Sequence, residues 1–196
     1  MMLRRSNRCL LICSLAVLLS CAAQAQVVRV GNRGGPVALR GPAPRLTILG
    51  SLSVVATPSL VTFNLVSAGT AAGSAPVVVV TTWSGISLFS TGIGVYAYFS
   101  NASSALSGGT PVAYIPSSCV LGKDSAGLPT GFTAFTQSSP VGGAGNSLEL
   151  YTGGGGLLGL GGNHTDTLNL EINLSSIPQL PAATYTGTLM VQAEAF

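Results

Sequence analysis

Residues 167–174 read TLNLEINL, and the alternation is unbroken: Leu168, Leu170, Ile172 and Leu174 fall on one side, Asn169, Glu171 and Asn173 on the other. Successive side chains of an extended chain point to opposite faces, so this octet is a strand with one buried and one wet face. The same pattern continues beyond it. From Thr184 to Ala195, Leu189, Val191, Ala193 and Ala195 share a face. Upstream, Ser147–Tyr151 alternates as SLELY, and Leu60–Leu65 places Val61, Phe63 and Leu65 together. Ser51–Ala56 is a further short strand. The β-branched run 76–83, PVVVVTTW, predicts a strand buried on both sides, and Gly94–Phe99 predicts an aromatic-rich one. Weaker strand signals lie at 111–115, 119–121 and 132–137.

No stretch carries the 3.6-residue period of an amphipathic helix. Short strands separated by loops of Gly, Ser, Thr and Pro predict an all-β fold, an antiparallel Ig-like sandwich. The charged fraction of 7% agrees. Half-buried strands present Thr, Ser and Asn to water, where a helix would present Lys and Glu. Few charges also leave the edge strands of such a sandwich open to a partner strand.

The first 25 residues have the three-part plan of a secretory signal. Arg4, Arg5 and Arg8 precede the apolar core LLICSLAVLL at 10–19, and Ala23-Gln-Ala25 sets cleavage between Ala25 and Gln26. The core is shorter than the roughly 20 residues that span a bilayer, so no transmembrane span remains after cleavage. Leu18-Leu-Ser-Cys21 also resembles a lipobox, which would make Cys21 an acylated N-terminus and anchor the protein. Either route gives an exported protein: secreted, at the cell surface, or periplasmic. Cys9, Cys13 and Cys21 leave with a signal cut before Gln26, and Cys119 remains alone, so no disulfide forms within one mature chain. Its place beside Val120 and Leu121 predicts burial.

Charge then divides the chain. Residues 26–45, QVVRVGNRGGPVALRGPAPR, hold four Arg and no acid, whereas residues 46–196 hold one Lys and five acids. The domains expected are therefore a signal peptide (1–25), a basic Gly/Pro-containing arm (26–45) and a β-sandwich (46–196). The arm is either a loose leader or an element that docks on an acidic neighbour or an anionic surface. An exported chain with an acidic domain does not point to nucleic acid. Within the arm, Val28 with Val30 and Val37 with Leu39 form short alternating pieces, interspersed with Arg29, Arg33 and Arg40. Such pieces can add to a sheet edge. These seven residues, with Tyr185 and Gly187, are the candidate interface.

Tyr185 and Gly187 stand in Leu180-Pro-Ala-Ala-Thr-Tyr-Thr-Gly-Thr-Leu189. Pro178 and Pro181 end the preceding strand and fix a turn. Tyr185 can bury its ring while its hydroxyl caps a nearby backbone group. Gly187 marks either a bulge or a gap for a partner's side chain. The stretch from Asp166 to Phe196 resembles the end of secreted bacterial Ig-like proteins, the spore coat U and Csu-pilin-like domains and fimbrial subunits more broadly. Ala56-Thr-Pro-Ser-Leu-Val-Thr-Phe63 is similar to their first strand and the following turn. The resemblance covers about a quarter of the chain. It departs in the lone Cys119, where those domains usually carry a cysteine pair, and in Ala183 at a usual glycine. It implies a sandwich used in a surface filament, coat or adhesive layer. Its partners would be further copies or other surface subunits, with a periplasmic chaperone before assembly. A monomeric secreted module binding a glycan or protein is the alternative, and a small secreted hydrolase a third.

Catalytic chemistry is sparsely provided. His164 is the one histidine, and with Asp166 it falls two ligands short of an ordinary metal site. The expectation is no metal and no cofactor, with 161–166 a polar loop before the strand. The glycine-rich run 153–162 lacks the Lys-Ser or Lys-Thr of a phosphate loop and leads into a strand, so it reads as a loop in which Leu157, Leu158 and Leu160 tuck over one end. No Gly-x-Ser-x-Gly elbow occurs. Glu149 and Glu171 would have to pair across strands to act as a glycosidase dyad, and Trp83 is the one tryptophan available as a sugar platform. The reading is of a non-enzymatic protein.

Overall fold

The computed structural model describes residues 15–23, 51–85, 92–138, 145–154, 161–177 and 179–196. Among these, thirteen strands follow in order: β1 (Leu15–Ala23), β2 (Ser51–Thr57), β3 (Leu60–Leu65), β4 (Thr70–Ala72), β5 (Val77–Ser84), β6 (Gly92–Phe99), β7 (Leu106–Gly108), β8 (Ala113–Ile115), β9 (Val120–Asp124), β10 (Thr133–Ala134), β11 (Ser147–Gly154), β12 (Gly162–Asn173) and β13 (Tyr185–Ala195). A three-residue 3-10 turn, Ser117–Cys119, is the helical element among them.

Two sheets pack face to face as an all-β sandwich. The first runs β11-β6-β13-β1-β3, with β7 beside the start of β13 and β8 beside β7. The second runs β10-β9-β12-β5-β2, with β4 beside the far end of β12. The strand pairs are antiparallel except β1 and β13, which run parallel.

The core follows from the alternation that the sequence displays. Leu168, Leu170 and Ile172 of β12 point inward and are buried, as are Tyr185, Leu189, Val191 and Ala193 of β13 and Val61, Phe63 and Leu65 of β3. Each fully buried aliphatic side chain contributes roughly 1.5–3 kcal/mol over its exposed state. Phe99 and Phe135 meet edge to face, their ring centres 5.2 Å apart. Between the sheets, Gly122 of β9 lets the layers approach closely. A β-carbon there would lie 2.5 Å from Leu148 Cδ2 and 2.9 Å from Leu168 Cδ1.

The expected burial of the 76–83 run on both sides is corrected. β5 is not buried on both faces: Val77, Val79 and Thr81 face the core, while Val78 and Val80 are half-buried. It is β6 that is buried almost throughout, because it lies between β11 and β13 with its outer face covered. Tyr96 folds over Gly94 there, and Phe196 lies over Gly92. Small residues on that outer face leave room for rings, a feature that a β-branched run does not have.

Candidate functional site

The first place of interest is the seat of β1 between β13 and β3. Seven residue pairs, from Val17–Tyr185 to Ala23–Val191, tie β1 to β13. Six more, from Leu15–Leu65 to Ser20–Leu60, tie it to β3. Residues 15–23 come from the segment expected to be the export signal. The first sheet, otherwise built of strands from residue 60 onward, therefore includes a strand from residues 15–23. β3 and β13 are not paired with each other in the sheet; β1 lies between them.

Tyr185 begins β13 at this seat, fully buried, and its hydroxyl donates to the carbonyl of Pro181 at 3.1 Å. Burial pushes its phenol pKa up. The capping role read from the sequence is present. Gly187 is neither a bulge nor a gap. The register of β13 against β1 passes through Leu19–Gly187 unbroken, and a β-carbon at 187 would run into the carbonyl oxygen of Ala105. The chain between β6 and β7 thus crosses β13 at closest approach where no side chain stands. The remaining candidate interface residues, Val28, Arg29, Val30, Arg33, Val37, Leu39 and Arg40, lie outside the described residues, as do Ala25, Gln26 and Pro178. Leu157, Leu158 and Leu160 lie outside them too.

The second place is a polar cluster at one end of the sandwich interior. His164 and Asp166 do not sit in a loop. β12 begins at Gly162, so both residues lie within the strand, in phase with Leu168. The correction has a simple cause: β5 pairs with 162–168 and holds this polar stretch extended, His164 opposite Thr81 and Asp166 opposite Val79. Asp166 is completely buried, and its Oδ1 shares a 2.8 Å hydrogen bond with Nε2 of His164. Tyr151 stacks on His164 with 3.8 Å between ring centres. It reaches that position because β11 shifts register between Glu149 and Tyr151.

Asp124, at the end of β9, faces the same interior and is 2% exposed. Its Oδ1 accepts from the backbone N–H of Ala126 at 2.8 Å and of Thr167 at 2.9 Å. The Oδ2 atoms of Asp124 and Asp166 are both buried with no N–H or other fixed donor, and so is the Thr81 hydroxyl. The pKa of Asp166 rises from 3.8 to about 6, first because it is buried and next because its carboxyl bonds that of Asp124. The adjacent His164 opposes part of that rise.

Among the described residues, no group of three or more His, Cys, Asp or Glu is placed to hold a metal ion. Glu149 and Glu171 lie in different sheets, on β11 and β12, and are not a cross-strand pair. Glu149 instead accepts from the Thr152 hydroxyl at 2.5 Å, and with Glu194 it raises the pKa of the Tyr96 phenol, whose burial is the larger cause. Cys119 is buried and forms no disulfide. No helix of the described residues is long and apolar enough to cross a membrane. Compared with protein-family models, curated proteins and solved structures, the chain matches none of them.

Proposed function

We propose that the mature chain is an extracellular structural or adhesive subunit of a cell surface, assembled by accepting an extended segment between β3 and β13. One observation carries this reading: an apolar strand from outside the domain is hydrogen-bonded along both flanks of that seat. If the export signal is cut before Gln26, residues 15–23 leave, and the two facing strand edges need another partner. Open edges inside a sheet are costly, because buried N–H and C=O groups without partners lose about 1–3 kcal/mol each. The basic arm of a second copy, or of another surface subunit, supplies the replacement. Its alternating pieces at Val28/Val30 and Val37/Leu39 add backbone hydrogen bonds, and its four Arg face a domain with five acids. A contact of this head-to-tail kind propagates into a fibre. A periplasmic chaperone would hold the seat before assembly. The role is non-enzymatic, and no cofactor is required.

The test compares the mature chain from Gln26 with a version beginning at Leu46, both checked for folding by circular dichroism. Negative-stain microscopy and sedimentation then read their size. The mature chain is expected to form filaments or oligomers and the shorter one to stay small. Equal assembly by both would remove the arm from the mechanism. A mature chain that stays monomeric would leave a secreted binding module as the better reading.

A further inference from the structure

Asp124 and Asp166 come from different strands, are both buried, have second carboxylate oxygens buried without a hydrogen-bond partner, and flank the same glycine, Gly127. Two ionised carboxylates in contact would repel one another in a medium that screens them poorly. A hydrogen bond between two carboxyls needs a proton on one of them. We propose that these two carboxyls share one proton in the folded domain, and that the pair is an acid-stabilised latch joining β9, β12 and the 124–129 turn.

The surroundings fit a latch. One oxygen of Asp124 fastens the turn through Ala126 and strand β12 through Thr167. Gly127 packs against both acids: a β-carbon there would lie 3.1 Å from Asp124 Oδ2 and 3.3 Å from Asp166 Oδ1. The groups facing Asp166 are Asp124 from β9 and His164 from β12. From β11, Tyr151 covers His164, and β5 presents Thr81, which does not titrate. His164 is 24% exposed on its side chain and therefore connects the buried pair to solvent.

The direction of the pH effect follows. The folded state binds the Asp166 proton more tightly than the unfolded state, at about 6 against 3.8, roughly a hundredfold in affinity. The latch therefore contributes its full stability below about pH 4, and that contribution is lost as pH rises through about 6.

Urea unfolding of the full chain from pH 4 to 8 tests this, with D166N and D124N beside the unmutated protein. An amide at either position supplies a permanent donor in place of the shared proton. The midpoint of the unmutated chain is expected to fall relative to both variants as pH rises from about 4 to about 6, and to level off above that. A difference from the variants that does not change with pH would overturn the proposal. If the variants fail to fold, carboxyl ¹³C NMR of the unmutated chain decides. A titration midpoint near 6 supports the shared proton, and ordinary midpoints for both acids refute it. His164→Ala is expected to move the Asp166 midpoint upward, because the ring and its bond hold it down. A downward move or none would refute the latch. Calcium chloride at pH 7 is the last arm. A stabilisation that D166N lacks would mean that the pair binds a cation, against the proposal, and no such effect supports the proton.

Discussion

The two sheets of this sandwich reach completion differently. In the second, the inner strands β12 and β5 find every neighbour within residues 51–173: β9 and β4 beside β12, β2 beside β5. In the first, β13 is paired on one edge by β6 and β7 but on the other by β1, which comes from the far side of the basic arm. One sheet is closed by its own domain and the other by a segment with a different expected fate. The same alternating pattern built both, so strand propensity does not explain the difference. What differs is the supply of strands: among the described residues, no strand from residue 51 onward lies between β3 and β13, and β1 takes that place.

The largest test of this contrast removes β1. In a chain beginning at Leu46, hydrogen exchange should become fast along β3 and the facing edge of β13 while β5 and β12 stay protected. Each lost sheet hydrogen bond contributes roughly 0.5–1.5 kcal/mol, so the first sheet loses several kcal/mol in all. A synthetic peptide of residues 15–23 should restore protection. Equal protection of both sheets without it would mean that β3 and β13 close on each other, and the contrast would disappear.

A second test sets one core residue in each sheet against the other. Phe63 is 1% exposed on β3, and Ile172 is 0% exposed on β12. Phe63→Ala should cost about 3–5 kcal/mol and Ile172→Ala about 2–5 kcal/mol, since each removes packing and leaves a cavity. Stability alone does not separate them. Peptide binding does: Phe63 pairs with Val17 of β1, whereas Ile172 pairs with Val120 and Ala71 in the other sheet. Only the Phe63 variant should bind the 15–23 peptide more weakly, as read by fluorescence titration. Equal weakening in both would indicate that the seat senses global stability and is no separate site.

Much of this fold was legible in the residues. TLNLEINL at 167–174 and the run to Ala195 set the two inner faces because their alternation has no interruption. β4 and β7 escaped notice since three residues are too few to show a period. The seat of β1 was not legible, because apolar composition at 10–19 is equally what an export signal requires. The carboxyl pair had a signal that local polarity masked. Asp166 is in phase with Leu168, Leu170 and Ile172, and Asp124 with Val120 and Gly122, so each acid extends an inward face. Reading parity through the polar residues, instead of stopping the strand at the first of them, would have placed both inside.

The smallest expected effect concerns the hydroxyl of Tyr185, and it separates the turn from the seat. The ring is fully buried among core residues, while the oxygen only donates to Pro181, four residues earlier. Tyr185→Phe keeps the ring and removes the donor. The Pro181 carbonyl sits in a partly buried turn where water can replace the lost partner, so the expected cost is about 1 kcal/mol. Tyr185 also faces Val17 across the β13–β1 ladder, but that ladder is made of backbone groups, which the substitution leaves intact. Peptide 15–23 should therefore bind the variant as it binds the unmutated domain, while the urea midpoint moves slightly down. A marked loss of peptide binding with an unchanged midpoint would reverse this assignment. It would place the Tyr185 hydroxyl in the recognition of the incoming strand, and the first sheet would then select its partner by side chain as well as by backbone.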